Sequence, residues 1–522
     1  MHEEKIKRLY DLKRASESGG GEEKIAAQHA KGKLTARERI DLLMDPMTFV
    51  EIGKYVIHRG ETESQKYHGD GVITGFGRIG GRLVFAYVYD FTILGGSLGE
   101  MAGRKVVKLM EQALKVGAPL IGIIDSGGAR IQEGVSSLDG YGDIFYHNTL
   151  ASGYIPAGVP RIVYLSFLGA DPDATFTLAR DHWAMTDFVV MVENIGQMFV
   201  TGPEVVKEVL SQDVSFEELG GARTHATKSG VAHFIARNEF ECMDKIKRLL
   251  SYIPQNNAEE PPLVEGIDDP NRLEPNLINT LPENPYQQYD MKKIISSIVD
   301  AGEFLEVHEM FAENIIVGFG RMNGRTVGVV ANQPSYLAGA LDINSSNKAA
   351  RFIRFCDAYN IPIVTLVDTP GYLPGADQEH NGIIRHGSKL LYAYCEATVP
   401  KITCIIGKAY GGAYIAMGSK NLRSDINYAW PTAEIAVLGP EAAITIIHRK
   451  DLKQSPDASA TKKKLAKEFR DKFANPYIAA EKGIIDVVID PMETRPFIIH
   501  ALESLINKRE TSPPKKHGNI NL

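Results

Sequence analysis

The stretch Asp125-Ser126-Gly127-Gly128-Ala129-Arg130-Ile131-Gln132-Glu133-Gly134 decides how the rest of this 522-residue chain is interpreted. It follows the apolar run 119–124, which is typical of a buried parallel strand. The Gly-Gly turn leaves backbone N–H groups uncovered, because glycine has no Cβ. N–H groups at the carboxyl end of a strand can stabilise an oxygen that develops negative charge. The stretch therefore predicts one half of an oxyanion site.

A second copy of this arrangement follows at a constant distance along the chain. The segment 75–82 (GFGRIGGR) returns as 318–325 (GFGRMNGR), and Asp125 returns as Asp368, in both cases 243 residues later. Because the offset stays constant without gaps, it indicates an internal duplication and two similar α/β domains. We assign residues 1–256 to the N-terminal domain, 286–522 to the C-terminal domain, and the stretch 257–285, rich in Pro, Asn and acidic residues, to a linker.

A second turn of small residues follows the next strand of each domain. In the second copy the apolar strand 402–406 is followed by Gly411-Gly412-Ala413. Subtracting the same offset places Gly412 and Ala413 on Gly169 and Ala170. N–H groups from two turns can then converge on one oxygen, and the loss of one such donor costs roughly 3–4 kcal/mol.

Local patterns in the first quarter predict its elements. Helical periodicity covers 5–14 and 22–31, and Thr35 with Glu38 forms the pattern of a capping box. Segments 71–77 and 82–88 are predicted to pair as strands around a glycine turn. A helix is expected from about residue 100 to 116.

Composition excludes several classes of function. The net charge of −7 argues against nucleic acid as a partner. The four cysteines lack CxxC spacing, which is typical of small buried residues in a reducing compartment. The N-terminus has neither signal nor transit character and no run of 18 apolar residues occurs, so we expect a cytoplasmic location without a membrane span.

The sequence offers no motif for binding ATP or a metal ion. It contains no Walker motif and no HExxH, and the histidines do not cluster, so we predict no ATP site and no metal site. Asp125 and Asp368 are expected to order the turns that follow them, and His386 to be structural.

Segments along nearly the whole chain carry a specific resemblance to a known family. They are 20–39, 90–100, 125–133, 331–334, 341–344, 382–387, 408–414 and 515–520. With these segments the chain resembles the carboxyltransferase subunits of biotin-dependent enzymes. That family includes the β subunits of propionyl-CoA and acetyl-CoA carboxylases, the large subunit of transcarboxylase, and the α subunit of sodium-pumping methylmalonyl-CoA decarboxylase.

The resemblance implies an α/β fold of two tandem crotonase-like (ClpP/crotonase) domains, and a hexamer built as a trimer of dimers. Acyl-CoA would bind the N-terminal domain of one subunit and biotin the C-terminal domain of its neighbour. Carboxybiotin would release CO2, its ureido anion would remove the α-proton of the thioester, and the enolate would attack CO2. The sequence has no biotinyl-lysine segment. Biotin is therefore expected on a biotin carboxyl carrier protein served by a biotin carboxylase subunit, or on membrane decarboxylase subunits.

The resemblance also implies site residues. The thioester carbonyl is assigned to the N–H groups of Gly128, Ala129, Gly169 and Ala170. The biotin carbonyl is assigned to Gly412 and Ala413 with Gly371 and Tyr372 nearby. Further substrate contacts are assigned to Gly95, Gly96, Ser97, Gly127, Arg130, Tyr141 and Ile415, and further biotin contacts to Tyr410 and Gly411.

One stretch departs from the family pattern. Where the family has Gly-Pro-Cys-Ala-Gly-Gly-Ala, this chain has Ser166-Phe167-Leu168-Gly169-Ala170-Asp171-Pro172. Leu168 adds bulk there and Pro172 removes an N–H donor. Either the site is rebuilt, or acyl-CoA binds differently, or the stretch is a sequence error. We predict that the N–H groups still converge.

Several functions share this half-reaction or this fold. Carboxylase, decarboxylase and transcarboxylase assemblies remain open, although Ala413 and Ile415 favour a carboxylase, with propionyl-CoA or methylmalonyl-CoA as substrate. An inactive structural subunit of such a complex is another alternative. A crotonase-like CoA hydratase or hydrolase would need pairs of Glu at the turns, and these are absent from the sequence.

Overall fold

A computed structural model describes residues 2–59, 67–152, 158–167, 185–266, 268–284, 287–511, 513 and 517–521. The chain divides into two compact units, Met1–Glu260 and Pro261–Leu522. In the described part of the chain, no helix has the length and apolar character that crossing a membrane requires.

The first unit is a single sheet with helices packed on it. Its helices are α1 (His2–Glu17), α2 (Glu22–Ala30), α3 (Ala36–Leu43), α4 (Glu100–Val116), α5 (Ser136–Ala151), α6 (Pro203–Leu210), α7 (Phe216–Gly220), α8 (Ala222–Thr224, continued by a π-helical turn, His225–Ser229) and α9 (Glu239–Leu250). Its strands are β1 (Val50–Ile52), β2 (Val72–Ile79), β3 (Arg82–Tyr89), β4 (Leu120–Asp125), β5 (Arg161–Phe167), β6 (Phe188–Val192) and β7 (Phe234–Ala236).

The seven strands lie in sequence order across the sheet. β1, β2 and β3 pair antiparallel, and β3 to β7 pair parallel. All six residues of β4 are buried, as its continuous apolar run predicts. α4 covers β2 and β3 and packs on α5. A Cβ on Gly103 would lie 2.7 Å from the Cα of Gly140, so the two helices meet where neither has a side chain.

Local predictions for this unit are confirmed. α1 contains the predicted segment 5–14 and extends beyond it at both ends, α2 matches 22–31 to within one residue, and Thr35 and Glu38 form both hydrogen bonds of a capping box at the start of α3. β2 and β3 pair as predicted, and α4 spans Glu100–Val116.

The second unit has the same architecture. Its helices are α10 (Met291–Ile298), α11 (Ile343–Ala358), α12 (Ala376–His380), α13 (Ile383–Glu396), α14 (Gly411–Ala416), α15 (Pro440–Ile447), α16 (Arg449–Gln454), α17 (Ala458–Phe473), α18 (Pro476–Glu481) and α19 (Thr494–Ser504). Its strands are β8 (Phe304–Val307), β9 (Ile315–Met322), β10 (Arg325–Asn332), β11 (Ile363–Thr369), β12 (Lys401–Tyr410), β13 (Ile426–Ala429), β14 (Glu434–Ala436) and β15 (Val487–Val488).

The sheet of the second unit repeats the pairing of the first. β8, β9 and β10 pair antiparallel, and β10, β11, β12, β13 and β15 continue the sheet in parallel. β14 pairs with the carboxyl end of β12. The predicted α/β class and the duplication are therefore present in the topology.

The strand register corrects the constant offset on which one site prediction depends. The offset of 243 holds from β2 and β9 up to the starts of β4 and β11, at Leu120 and Ile363. In the two sheets, Leu120 lies opposite Arg161 of β5, and Ile363 lies opposite Lys401 of β12. From Arg161 to Lys401 the distance is 240 residues, because the connection before β12 is shorter. The offset of 243 therefore does not carry through to the second pair of turns.

The cysteines depart in one respect from the expectation of buried residues. Cys242, Cys356 and Cys404 are buried, whereas Cys395 is exposed on α13. All four are free thiols.

Candidate functional site

The turn after β4 is held by a short parallel bridge to the segment before α4. Leu98 N–H donates to Gly128 O at 2.9 Å, and Arg130 N–H donates to Leu98 O at 2.9 Å. The bridge uses the groups on either side of Ala129, so the N–H of Ala129 itself points away from Leu98. Gly128 has φ +107°, a conformation that glycine adopts without strain, and its N–H donates to Ser126 Oγ at 3.1 Å.

The turn after β11 is built in the same way. Leu341 N–H donates to Gly371 O at 3.0 Å, and Leu373 N–H donates to Leu341 O at 2.7 Å. Gly371 has φ +142°, and its N–H donates to Thr369 Oγ1 at 3.4 Å. By the same geometry the Tyr372 N–H points away from Leu341. Each of these bonds matches one in the first unit, residue for residue, at the offset of 243.

The predicted residues Gly95, Gly96, Ser97 and Gly127 lie together beside the first turn. Gly127 N–H donates to Gly95 O at 2.8 Å. Gly96 has φ +62°, and a Cβ there would lie 2.1 Å from the Asp125 carbonyl oxygen. Glycine is therefore required at this position, where the 3-10 turn Leu94–Gly96 presses on the end of β4.

Arg130 lies at the end of this turn, and its side chain is buried against other protein groups. It is 3% exposed and hydrogen-bonds to Asp70, Glu133 and Ser97. Tyr141 is 3% exposed on α5, with its ring 6.1 Å from that of Phe145. Substrate contact by these two side chains stays a prediction.

Gly169 and Ala170 lie outside the described residues. Their assignment came from the offset of 243, whereas the register of β5 and β12 gives 240. At 240 the partners of Gly412 and Ala413 are Pro172 and Asp173, which also lie outside the described residues. Convergence of Gly169 and Ala170 with the first turn stays a prediction.

The second unit places its two turns side by side. Thr369 at the end of β11 pairs with Ala409 near the end of β12, and the chain then enters α14 at Gly411. The first N–H groups of a helix have no intrahelical acceptor, so those of Gly411, Gly412 and Ala413 are available at this edge. Ile415, on the same helix, is 39% exposed.

The neighbouring phenols are those of Tyr410, which is buried, and of Tyr372, which is partly buried. Tyr410 Oη hydrogen-bonds to the Glu434 carboxylate, which also accepts from Arg470 Nε at 2.8 Å. Burial, with the neighbouring Glu434 carboxylate, holds the pKa of Tyr410 far above its usual range. Burial raises the pKa of Tyr372 to about 12, and its ring packs on α13 at Gly387. Both phenols therefore stay protonated near neutral pH.

The strand-end carboxylates bind distant segments of the chain, and their predicted role in ordering the turns that follow them stays a prediction. Asp125 accepts hydrogen bonds from Gln28, Lys33 and Arg39, and so fastens α2 and α3 to the end of β4. Asp368 accepts from Tyr289 Oη at 2.8 Å and from Lys408 N–H at 2.9 Å. His386 bonds to Asn347 and Arg385, as expected of a structural histidine.

Sequence reasoning missed a matched pair of buried lysines. Lys105 Nζ donates to the carbonyls of Gly69 and Val72, and Lys348 Nζ donates to those of Ala312 and Ile315, among others. Donors and acceptors are all 243 residues apart, so the repeat itself could have revealed them. They fasten the loops before β2 and β9 to α4 and α11.

Comparisons with known proteins agree with this geometry. Residues 27–520 match the family described as the carboxyl transferase domain. The chain is 52% identical to the propionyl-CoA carboxylase carboxyltransferase subunit of Haloferax mediterranei, covering 100% of this chain and 99% of that protein. It is also 52% identical to the methylmalonyl-CoA decarboxylase subunit alpha of Veillonella parvula, with the same coverage.

A solved structure is similar over the whole length of the chain. The crystal structure of transcarboxylase 12S, a hexamer with methylmalonyl-coenzyme A and methylmalonic acid bound, has a TM-score of 0.94 and 46% identity, and it covers 100% of this chain and 99% of that one. The predicted fold, of crotonase-like type, is confirmed by this likeness. With a matching family model across nearly its whole length, this chain belongs to the carboxyl transferase domain family.

Proposed function

We propose that this protein transfers a carboxyl group between carboxybiotin on a partner protein and the α-carbon of a short acyl-CoA, with propionyl-CoA and methylmalonyl-CoA as the substrate pair. The observation that carries the proposal is full-length identity of 52% to a propionyl-CoA carboxylase subunit. The two matched turns add physical support, since carboxyl transfer through an enolate needs a stabilised oxyanion on each reactant.

The turns define what this chain contributes to the reaction. In the first unit, the N–H of Ala129 would donate to the thioester carbonyl oxygen, where charge develops as the α-proton leaves. In the second, the N–H groups of Tyr372, Gly412 and Ala413 would donate to the ureido oxygen of biotin. When bound, carboxybiotin supplies the CO2 and the base. The protein needs no side-chain acid or base for these steps, because it acts by aligning two reactants and stabilising charge.

The remaining roles are proposals from the resemblance. Gly128, Gly169 and Ala170 would complete the acyl-CoA side, and Gly371, Tyr410 and Gly411 the biotin side. Ile415 would limit the acyl chain. Biotin would arrive on a carrier protein after its ATP-dependent carboxylation by another subunit. We propose a homohexamer in the cytoplasm.

A decarboxylase is the second candidate. The identity to the alpha subunit from Veillonella parvula is also 52%. The two assemblies would use this chain for the same half-reaction in opposite directions, and they differ in the partner.

The test is turnover of malonyl-CoA and methylmalonyl-CoA by the purified chain with free biotin. We expect decarboxylation of methylmalonyl-CoA that requires biotin. Turnover of neither ester would contradict the proposal and favour an inactive structural subunit. Copurification then separates the two assemblies, since a carboxylase would retain a biotinylated ATP-dependent subunit and a decarboxylase a membrane subunit.

A further inference from the structure

Arg130 follows directly after Ala129, and its guanidinium is fully used by neighbouring protein groups. Nη1 donates to Asp70 Oδ1 at 2.5 Å and to Glu133 Oε1 at 2.8 Å. Nη2 donates to Ser97 O at 2.8 Å and to Asp70 O at 3.5 Å, and Nε donates to Ser97 Oγ at 3.3 Å. A guanidinium has five N–H groups, and these bonds engage all of them.

The carboxylates beside Arg130 cap the helix that follows the turn. Glu133 Oε2 accepts from Glu100 N–H at 2.7 Å, and Asp70 Oδ2 accepts from Ala102 N–H at 2.9 Å. These N–H groups begin α4 and have no intrahelical acceptor. The N-cap residue, Gly99, has no side chain to serve them, and a Cβ there would lie 2.5 Å from Arg130 Nη1. Arg130 thus joins two separate capping groups.

The second unit has no such cluster at the matched place. Leu373 stands where the first unit has Arg130, and Ala376 where it has Glu133. There the helix α11 is capped by its own N-cap residue, Asp342, in a capping box with Ser345. The backbone bridge is the same in both units. The ion cluster is therefore an addition to the first unit alone.

We infer that Arg130 is a positioning residue, which fixes the Ala129 N–H against β4 and α4 on the acyl-CoA side and does not bind the phosphates of coenzyme A. The inference rests on the proposed function. The physical reason is that Arg130 is the residue next to the oxyanion donor Ala129, and its side chain joins three segments: residue 70, residues 97–102 and residue 133. With all five N–H groups engaged at 3% exposure, none remains for a phosphate.

The test compares Arg130→Lys with wild type in biotin-dependent decarboxylation of methylmalonyl-CoA and of methylmalonyl-pantetheine, which lacks the phosphates. Lysine keeps the charge but cannot join Asp70, Glu133 and Ser97 at once. We expect kcat to fall about 10²-fold with both thioesters, the scale of losing one oxyanion donor, while the ratio of their KM values stays at the wild-type value. A phosphate ligand would instead raise KM for the CoA ester alone.

Arg495→Lys is the matched control. Arg495 is 0% exposed and donates to Asp300 Oδ1 at 2.6 Å and to Ile298 O at 2.7 Å, within the second unit. Its substitution should lower the melting temperature and leave kcat unchanged. If Arg130→Lys does not fold, Glu133→Gln replaces it, with a smaller fall in kcat expected for both thioesters.

The outcomes are distinct. A wild-type protein that turns over neither thioester contradicts the proposed function. An active wild type with unchanged kcat in the Arg130 or Glu133 variant, or with a KM increase confined to the CoA ester, overturns the inference. An equal loss of kcat in Arg495→Lys would also overturn it, since the effect would then be a general result of losing a buried arginine.

Discussion

Gly371→Ala tests whether the turn after β11 works through its backbone geometry. Gly371 has φ +142°, and no atom would come within 4 Å of an added Cβ. The substitution therefore introduces backbone strain and no collision. Strain of this kind costs about 1–3 kcal/mol. Relaxing it would rotate the peptide that carries the Tyr372 N–H, and displacing one oxyanion donor lowers kcat by about 10²–10³-fold.

Gly375→Ala is the matched control for this prediction. Gly375 has φ +141° and is equally free of neighbours, but it precedes α12 and takes no part in the bridge to Leu341. Both variants should lose about 1–3 kcal/mol of stability in urea denaturation. Only Gly371→Ala should lose biotin-dependent decarboxylation of methylmalonyl-CoA. Wild-type kcat in Gly371→Ala, or an equal loss in both variants, would refute the role of this turn.

Other buried groups give predictions for stability. Burial lowers the pKa of Lys348 from 10.5 to about 7. Between these two pH values the unfolded chain binds more protons than the folded one, so the free energy of unfolding should rise with pH. Compared with Lys348→Met, the rise should reach up to about 1.4 kcal/mol per pH unit. Urea titrations at pH 7, 8 and 9 check this, and equal slopes would show that the lysine stays charged. Tyr410→Phe removes a hydrogen bond to Glu434 and should lower the free energy of unfolding by about 1–3 kcal/mol. Tyr414→Phe removes a buried hydroxyl that has no hydrogen-bond partner in the described chain, so it should leave the free energy of unfolding unchanged or raise it. Asp125→Asn leaves Arg39 and Lys33 without their carboxylate and should cost about 3–5 kcal/mol by melting or urea denaturation; a smaller loss would indicate that Glu239 compensates.

The repeat made most of the fold predictable from the sequence. Periodicity and capping patterns place local elements such as α3 and α4, because these depend on neighbours along the chain. The recurrence of Gly128 as Gly371 predicts two similar turns, since a positive φ requires glycine at both. The matched bridges to Leu98 and Leu341 follow from this repeat.

The contacts between segments far apart in the chain could not be predicted from the sequence. The change of offset from 243 to 240 arises in the connections before β5 and β12, and only the strand register reveals it. Of the partners of Arg130 only Glu133 is near in sequence, whereas Asp70 and Ser97 lie 60 and 33 residues earlier, so the local pattern does not show that the whole guanidinium is engaged. A buried cation and a ligand-binding cation look the same in sequence, and burial separates them.

Asp125 and Asp368 show how the duplicated scaffold diverged without changing its turns. Both are buried acids at the end of the matched strand. Although burial opposes it, the cations of Arg39 and Lys33 lower the pKa of Asp125. Burial raises the pKa of Asp368, although the Lys408 cation and the hydrogen bonds from the Tyr289 phenol and the Lys408 backbone oppose this. The partners of each carboxylate lie on other segments of the chain, so they could change while the N–H groups of the turn stayed in place. The turn geometry is common to both units, and the charge around it is particular to each, as the proposed binding of different reactants requires.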